Sequence, residues 1–251
     1  GAAEIRRRAE AALDQRQRAK NVLLLIADGN GVSTNFATRL WQGQQAGGYG
    51  DEYVLAHERM PALALSKTYN TNAQTPDSAG TATALNAGLK TKSGVLGLNE
   101  QARYGFCEDV TGNKAASLAE HAKRLGRKVG VVSTARLTHA TPGAVYAHSA
   151  DREWEAAVPE GCTAQDDIAT QLFDAMVRDD GSTPLVDVAL GGGRRSFFPQ
   201  EQAGPEGDAG ARTDGVDLIE LFEAEGGAYA FDSPSFEALP LDGTAQLLGL
   251  F

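Results

Sequence analysis

The densest chemistry-bearing stretch of the sequence is Thr75-Pro-Asp-Ser-Ala-Gly-Thr-Ala-Thr-Ala84. Pro76 sets an extended entry, Asp77 or Ser78 can cap a helix, and the small residues that follow let other backbones approach closely. A serine at a helix N-terminus faces the positive end of the helix dipole, which favours an alkoxide and an incoming phosphate. Serines and aspartates at helix starts also serve simply as caps, so spacing alone leaves both roles open for Ser78. Asp28, in Ala27-Asp-Gly-Asn-Gly31, follows an apolar run and precedes two glycines. Its carboxylate can project into a crevice and hold a hard cation or zinc, or it can close an Asx-turn.

A serine nucleophile needs activation by a base or a metal. His139, in Thr138-His-Ala-Thr-Pro142, is the obvious base candidate, but the chain lacks a Gly-x-Ser-x-Gly elbow. The other histidines, His57, His121 and His148, have no paired metal-site spacing. Arg152, after Ser149-Ala-Asp151, could fork onto two phosphate oxygens, or could lie on the surface paired with Asp151 or Glu155. Gly191-Gly-Gly-Arg-Arg195 lacks the Walker lysine and reads as a tight turn. Cys107 and Cys162 sit in polar, loop-like surroundings rather than the apolar runs of buried free thiols, which favours a disulfide over two separate thiols. Such a bond would stabilise the fold by roughly 3–4 kcal/mol.

The elements that must position these residues alternate. Residues 1–20 have helical spacing at Ile5, Ala9, Ala12 and Leu13 and predict an amphipathic N-terminal arm; residues 21–251 read as one domain. Val22 to Ala27 predicts a buried strand, with a turn at Asp28 and a helix from Ser33. A strand is expected over 62–69, helices over 78–89 and 114–125, and a strand over 128–133. A helix over 166–177, a strand over 186–190 and a helix over 217–225 follow, with short strands around Tyr229 and Leu247. Apolar strands alternating with helices mean a three-layer, doubly wound, mostly parallel α/β sheet, with ligands beyond the carboxyl ends of the strands. Asp28 and the stretch after Ser133 lie at such ends.

The formal net charge of −10 argues against nucleic-acid binding, and no apolar run is long enough to be a transmembrane helix. An acidic chain that handles an anionic substrate needs a locally positive site, most simply through metal ions.

Taken in order, several stretches closely resemble the alkaline phosphatases: Lys20-Asn-Val-Leu-Leu-Leu-Ile-Ala-Asp-Gly29, Thr75-Pro-Asp-Ser-Ala79, Gly88-Leu-Lys-Thr-Lys92, Val131-Val-Ser-Thr-Ala135, His139-Ala-Thr-Pro-Gly143, Tyr146-Ala-His148, Asp151-Arg-Glu-Trp154, Asp167-Ile-Ala-Thr-Gln171 and Leu190-Gly-Gly-Gly-Arg194. The details look more like the animal and marine-bacterial branch than the enteric enzyme. The resemblance implies phosphate-monoester hydrolysis through a phosphoserine on Ser78, with two zinc ions and one magnesium. Asp28 would bridge a zinc and the magnesium, Ser78 would bind that zinc, and Thr141 would bind the magnesium. His139 would act on the magnesium site from behind its ligands, Arg152 would clamp the phosphoryl oxygens, and Asp77 would hold Arg152. Cys107 and Cys162 match a disulfide of the animal-like branch.

Zinc wants three or four protein ligands, and the family's remaining ligands would lie beyond Phe251. The resemblance therefore covers an N-terminal half whose C-terminal half is missing, so the alkaline-phosphatase-like fold is expected to be incomplete. It implies phosphate monoesters and inorganic phosphate as small-molecule partners, a homodimer when intact, and a periplasmic or secreted location. The competing expectations are another phosphoesterase of the same superfamily and a catalytically inert anion-binding module.

Overall fold

The computed structural model describes Arg6 and residues 19–177, 183–239 and 246–251. The expected N-terminal helix thus lies almost wholly outside the described residues. The chain divides into two compact units, Gly1–Lys67 and Thr68–Phe251.

In the first unit, Asn30 N–H donates to the Ala27 carbonyl at 3.1 Å, forming the turn expected at Asp28, and helix α1 (Val32–Gln45) follows. Arg39 pairs with Glu58 on a short 3₁₀ turn, His57–Arg59. Two expectations fail here. Residues 21–27 form no strand among the described residues, and Val22 and Leu23 are 82% and 84% exposed. Residues 62–69 likewise form no strand and are exposed. The physical reason is that an apolar run specifies a strand only through a neighbouring strand, and that pairing is not local information.

The second unit carries α2 (Ser78–Ala87), α3 (Val110–Asn113), α4 (Leu118–Arg124), β1 (Gly130–Arg136), α5 (Ala140–Gly143), α6 (Ile168–Met176), β2 (Val188–Gly192), α7 (Leu218–Ala224), β3 (Ala228–Ala230), α8 (Ser233–Glu237) and β4 (Leu247–Leu250). Helix starts follow their caps. Asp77, Ser117, Asp167 and Asp217 each accept from a backbone N–H of the first turn. Helix α2 stops where Gly88 adopts φ +70°, a left-handed turn that a side chain disfavours.

The four strands form a parallel sheet in the order β1-β2-β4-β3, with Val131 opposite Ala189 and Ala189 opposite Leu248. Val131, Ala189, Leu248 and Leu250 share one core with Leu172 and Met176 of α6 and Leu218 and Phe222 of α7. A smaller core of Val95, Leu98, Ala102, Val110 and Ala150 lies under the loops that carry the candidate site. The tight turn expected over 191–195 begins only at Gly193, with φ +91°, because Gly191 and Gly192 end strand β2; Arg194 is buried, donating to the Leu250 and Phe231 carbonyls.

Two long-range ties lock this unit. Arg212, 2% exposed, donates to both oxygens of Asp167 at 3.0 and 3.1 Å, to Thr170 Oγ1 and to Asp214. The second is the disulfide Cys107–Cys162, as expected, closing 55 residues of sequence. A loop of that length stabilises by roughly 4 kcal/mol on the chain-entropy estimate. Replacing both cysteines by serine is expected to lower the urea midpoint accordingly, and an unchanged midpoint would show that the bond contributes no stability.

Candidate active site

Asp77 is the N-cap of α2, and Ser78 is its first helical residue. The Asp77 carboxylate accepts from four donors. Oδ1 takes the Gly80 N–H at 3.1 Å and Asn70 Nδ2 at 2.9 Å; Oδ2 takes the Gly94 N–H at 2.9 Å and Arg152 Nη1 at 3.2 Å. Half-burial works against the charged carboxylate, but these hydrogen bonds outweigh it and hold its pKa below the ordinary aspartate value.

Arg152 arrives from a loop zipped onto the 94–105 segment. Leu96 and Ser149 exchange backbone hydrogen bonds at 2.9 and 2.8 Å, Gly105 N–H donates to Ala150 O, and Arg152 N–H donates to Gly94 O at 2.9 Å. Gln165 braces the same loop by accepting from Ala150 N–H and donating to Ser149 Oγ. The disulfide fixes both flanks of this arrangement. Arg152 Nη1 donates to Ser78 Oγ at 2.8 Å, and Nη2 lies 2.8 Å from His139 Nε2. A guanidinium N–H can only donate, so Nε2 of His139 accepts here and carries no proton.

The structure therefore brings together Asp77, Ser78, Arg152 and His139. Thr141 sits in the first turn of α5, which packs against α2. Asp28 belongs to the first unit, at the turn after residues 21–27. Arg152 pairs with Asp77, as the resemblance implied, and with its neighbour Glu153, while Glu155 is engaged by Arg136 and Thr138.

Sequence reasoning misses Asn70, Gly94 and Gln165, which hold the site without a motif of their own. His57 lies in the 3₁₀ turn of the first unit and His121 on α4, and His148 is half-buried with Nδ1 2.7 Å from Gly97 O. Among the described residues, no three His, Cys, Asp or Glu side chains come together as a metal site. A groove of about 600 Å³ lined by Ser133, Thr134, Gly191, Gly192, Phe236 and Phe251 holds none of the four clustered residues.

The sequence model of the alkaline phosphatase family matches residues 19–251. The chain belongs to the alkaline phosphatase family. It is 41% identical over 250 residues to the human tissue-nonspecific alkaline phosphatase, covering 93% of this chain and 46% of the human protein. Against the alkaline phosphatase of Gadus morhua it is 38% identical over 252 residues, covering 94% and 51%. The chain thus spans about half the length of the curated relatives it matches. The alkaline phosphatase of the Antarctic bacterium TAB5 superposes with a TM-score of 0.64 at 23% identity, over 94% of this chain and 54% of that one. The fold is therefore the α/β architecture of alkaline phosphatases.

Proposed function

We propose that the full-length protein hydrolyses phosphate monoesters, with Ser78 as the nucleophile. The observation that carries this reading is the single Arg152 Nη1 that donates both to Ser78 Oγ and to Asp77 Oδ2 at the start of a ten-residue helix. Ser78 Oγ bonds to phosphorus, the ester P–O bond breaks, the serine proton passes to solvent, and the leaving alcohol takes a proton in turn. Water then cleaves the phosphoserine, releasing inorganic phosphate. Arg152 stabilises the charge on the transferring oxygens, the helix N-terminus adds its dipole, and Asp77 keeps Arg152 in place. His139, accepting from Arg152 Nη2, holds the far side of the guanidinium.

The family implies metal cofactors, and we assign them as two zinc ions and one magnesium. Asp28, Ser78 and Thr141 are the proposed ligands on this chain, and His139 would act on the magnesium through its ligands. Bound metal would lower the serine pKa and neutralise phosphoryl charge. Among the described residues, the donors do not by themselves make a closed zinc site. The assignment therefore places the remaining ligands beyond residue 251, and none of the steps above runs through a metal. The disulfide supports an oxidising compartment, periplasmic or secreted. The intact protein is proposed to be a homodimer. Residues 1–20 are read as an arm and 21–251 as the front portion of a single alkaline phosphatase domain.

The test is to incubate the full-length protein with p-nitrophenyl phosphate, quench in acid and map the modified residue. Phosphate on Ser78, and turnover lost to a chelator and restored by zinc with magnesium, are expected. Phosphate on another residue, or turnover indifferent to chelation, would overturn the reading.

A further inference from the structure

We infer that Asn70 is a positioning residue for the arginine that binds the phosphoryl group: it fixes the Asp77 carboxylate so that one oxygen is left to hold Arg152 on Ser78. The inference rests on the reading of Ser78 and Arg152 given above.

Asn70 is buried, 3% exposed, in a tight turn where its N–H donates to Ala73 O and its own carbonyl accepts from Ala73 N–H. Its carboxamide nitrogen uses both protons, one on Asp77 Oδ1 at 2.9 Å and one on Ser93 Oγ at 2.8 Å. A carboxylate only accepts, so the nitrogen must face Asp77 and the amide oxygen must turn the other way. That oxygen lies over Gly80. A Cβ built on Gly80 would stand 2.3 Å from Asn70 Oδ1 and 2.6 Å from Cγ. Gly80 in the Pro-Asp-Ser-Ala-Gly stretch is therefore the slot that admits the carboxamide.

The four donors divide the carboxylate evenly, two to each oxygen. Arg152 makes the longest of the four contacts, at 3.2 Å, so it is the one released most readily if the carboxylate turns. Without Asn70, Oδ1 keeps only the Gly80 N–H, and rotation to share the remaining donors takes Oδ2 away from Arg152. Asn70 also reaches the main-chain anchor of the arginine. Ser93, its second acceptor, precedes Gly94, whose carbonyl receives the Arg152 N–H. One buried amide thus controls both the side-chain and the backbone placement of Arg152.

The test uses the full-length protein and competitive inhibition by inorganic phosphate. Asn70→Ala is expected to raise the inhibition constant and KM about tenfold, with a smaller change in kcat, on the scale of one lost charge-assisted hydrogen bond. Asn70→Asp keeps the shape but sets a carboxylate against Asp77, and is expected to be at least as damaging. Gly80→Ala provides an independent route, because its methyl displaces the carboxamide. Alanine is the better helix former, so weaker phosphate binding without a fall in Tm cannot be laid to a melted helix. In the Asn70→Ala background the slot is empty, and Gly80→Ala is expected to add nothing. An unchanged inhibition constant in Asn70→Ala, or additive effects of the two substitutions, would overturn the inference. Ser78→Ala run in parallel separates the cases: if it retains turnover, the underlying functional reading fails first; if it is inactive while Asn70→Ala binds phosphate normally, only the role of Asn70 fails.

Discussion

Ser78→Ala in the full-length protein is expected to reduce turnover of phosphate monoesters by at least about 10³-fold, the scale of losing a nucleophile while binding groups survive. Arg152 keeps its bonds to Asp77 and Glu153, so inorganic phosphate should still inhibit. Stability should barely change, because the α2 cap is Asp77, not Ser78, and alanine suits the first helical position. This separation of rate from stability distinguishes a nucleophile from a helix-starting serine. Near-normal turnover in the variant, measured with p-nitrophenyl phosphate against a matched Tm, would remove Ser78 from the mechanism. A variant that unfolds would favour the structural role instead.

Asp167→Ala is expected to destabilise the second unit by about 3–5 kcal/mol, the cost of leaving one member of a buried ion pair behind. Arg212 would retain Asp214, but Asp214 is half-exposed, and the two inner hydrogen bonds from Arg212 would lose their acceptor. The same substitution removes the cap of α6, whose Thr170 N–H donates to Asp167 at 3.0 Å. Chemical unfolding read by circular dichroism measures the loss. Asp167→Asn restores the cap acceptor without the charge, so an intermediate loss is expected; equal losses in both variants would place the whole effect on the charge pair.

What the sequence made legible was local or chemically distinctive. Proline, aspartate and serine in succession announce a helix start, and the structure resolves which residue caps it: Asp77. The two cysteines were readable from their polar flanks. The strands at 130–136 and 188–192 were readable because apolar runs there meet partners inside the second unit. The run at 21–27 is more apolar still but pairs with no strand among the described residues, and composition does not reveal that difference. The partner of Arg152 75 residues away, Asp77, was legible only through the family resemblance, since sequence proximity alone pointed to Asp151 and Glu155. Asn70 was silent for a sharper reason: its role depends on an absent side chain at Gly80, and no spacing rule encodes a gap.

The strand order has a consequence for synthesis. Strand β4 lies between β2 and β3, so among the described residues β3 at 228–230 has no neighbour in the sheet until residues 247–250 have left the ribosome. A nascent chain that has emerged only as far as α8 can hold the β1–β2 pair, while β3 waits with its backbone donors and acceptors on water. One four-residue segment of leucines and a glycine thus joins β3 to the β1–β2 pair, a non-local step that the order of synthesis delays.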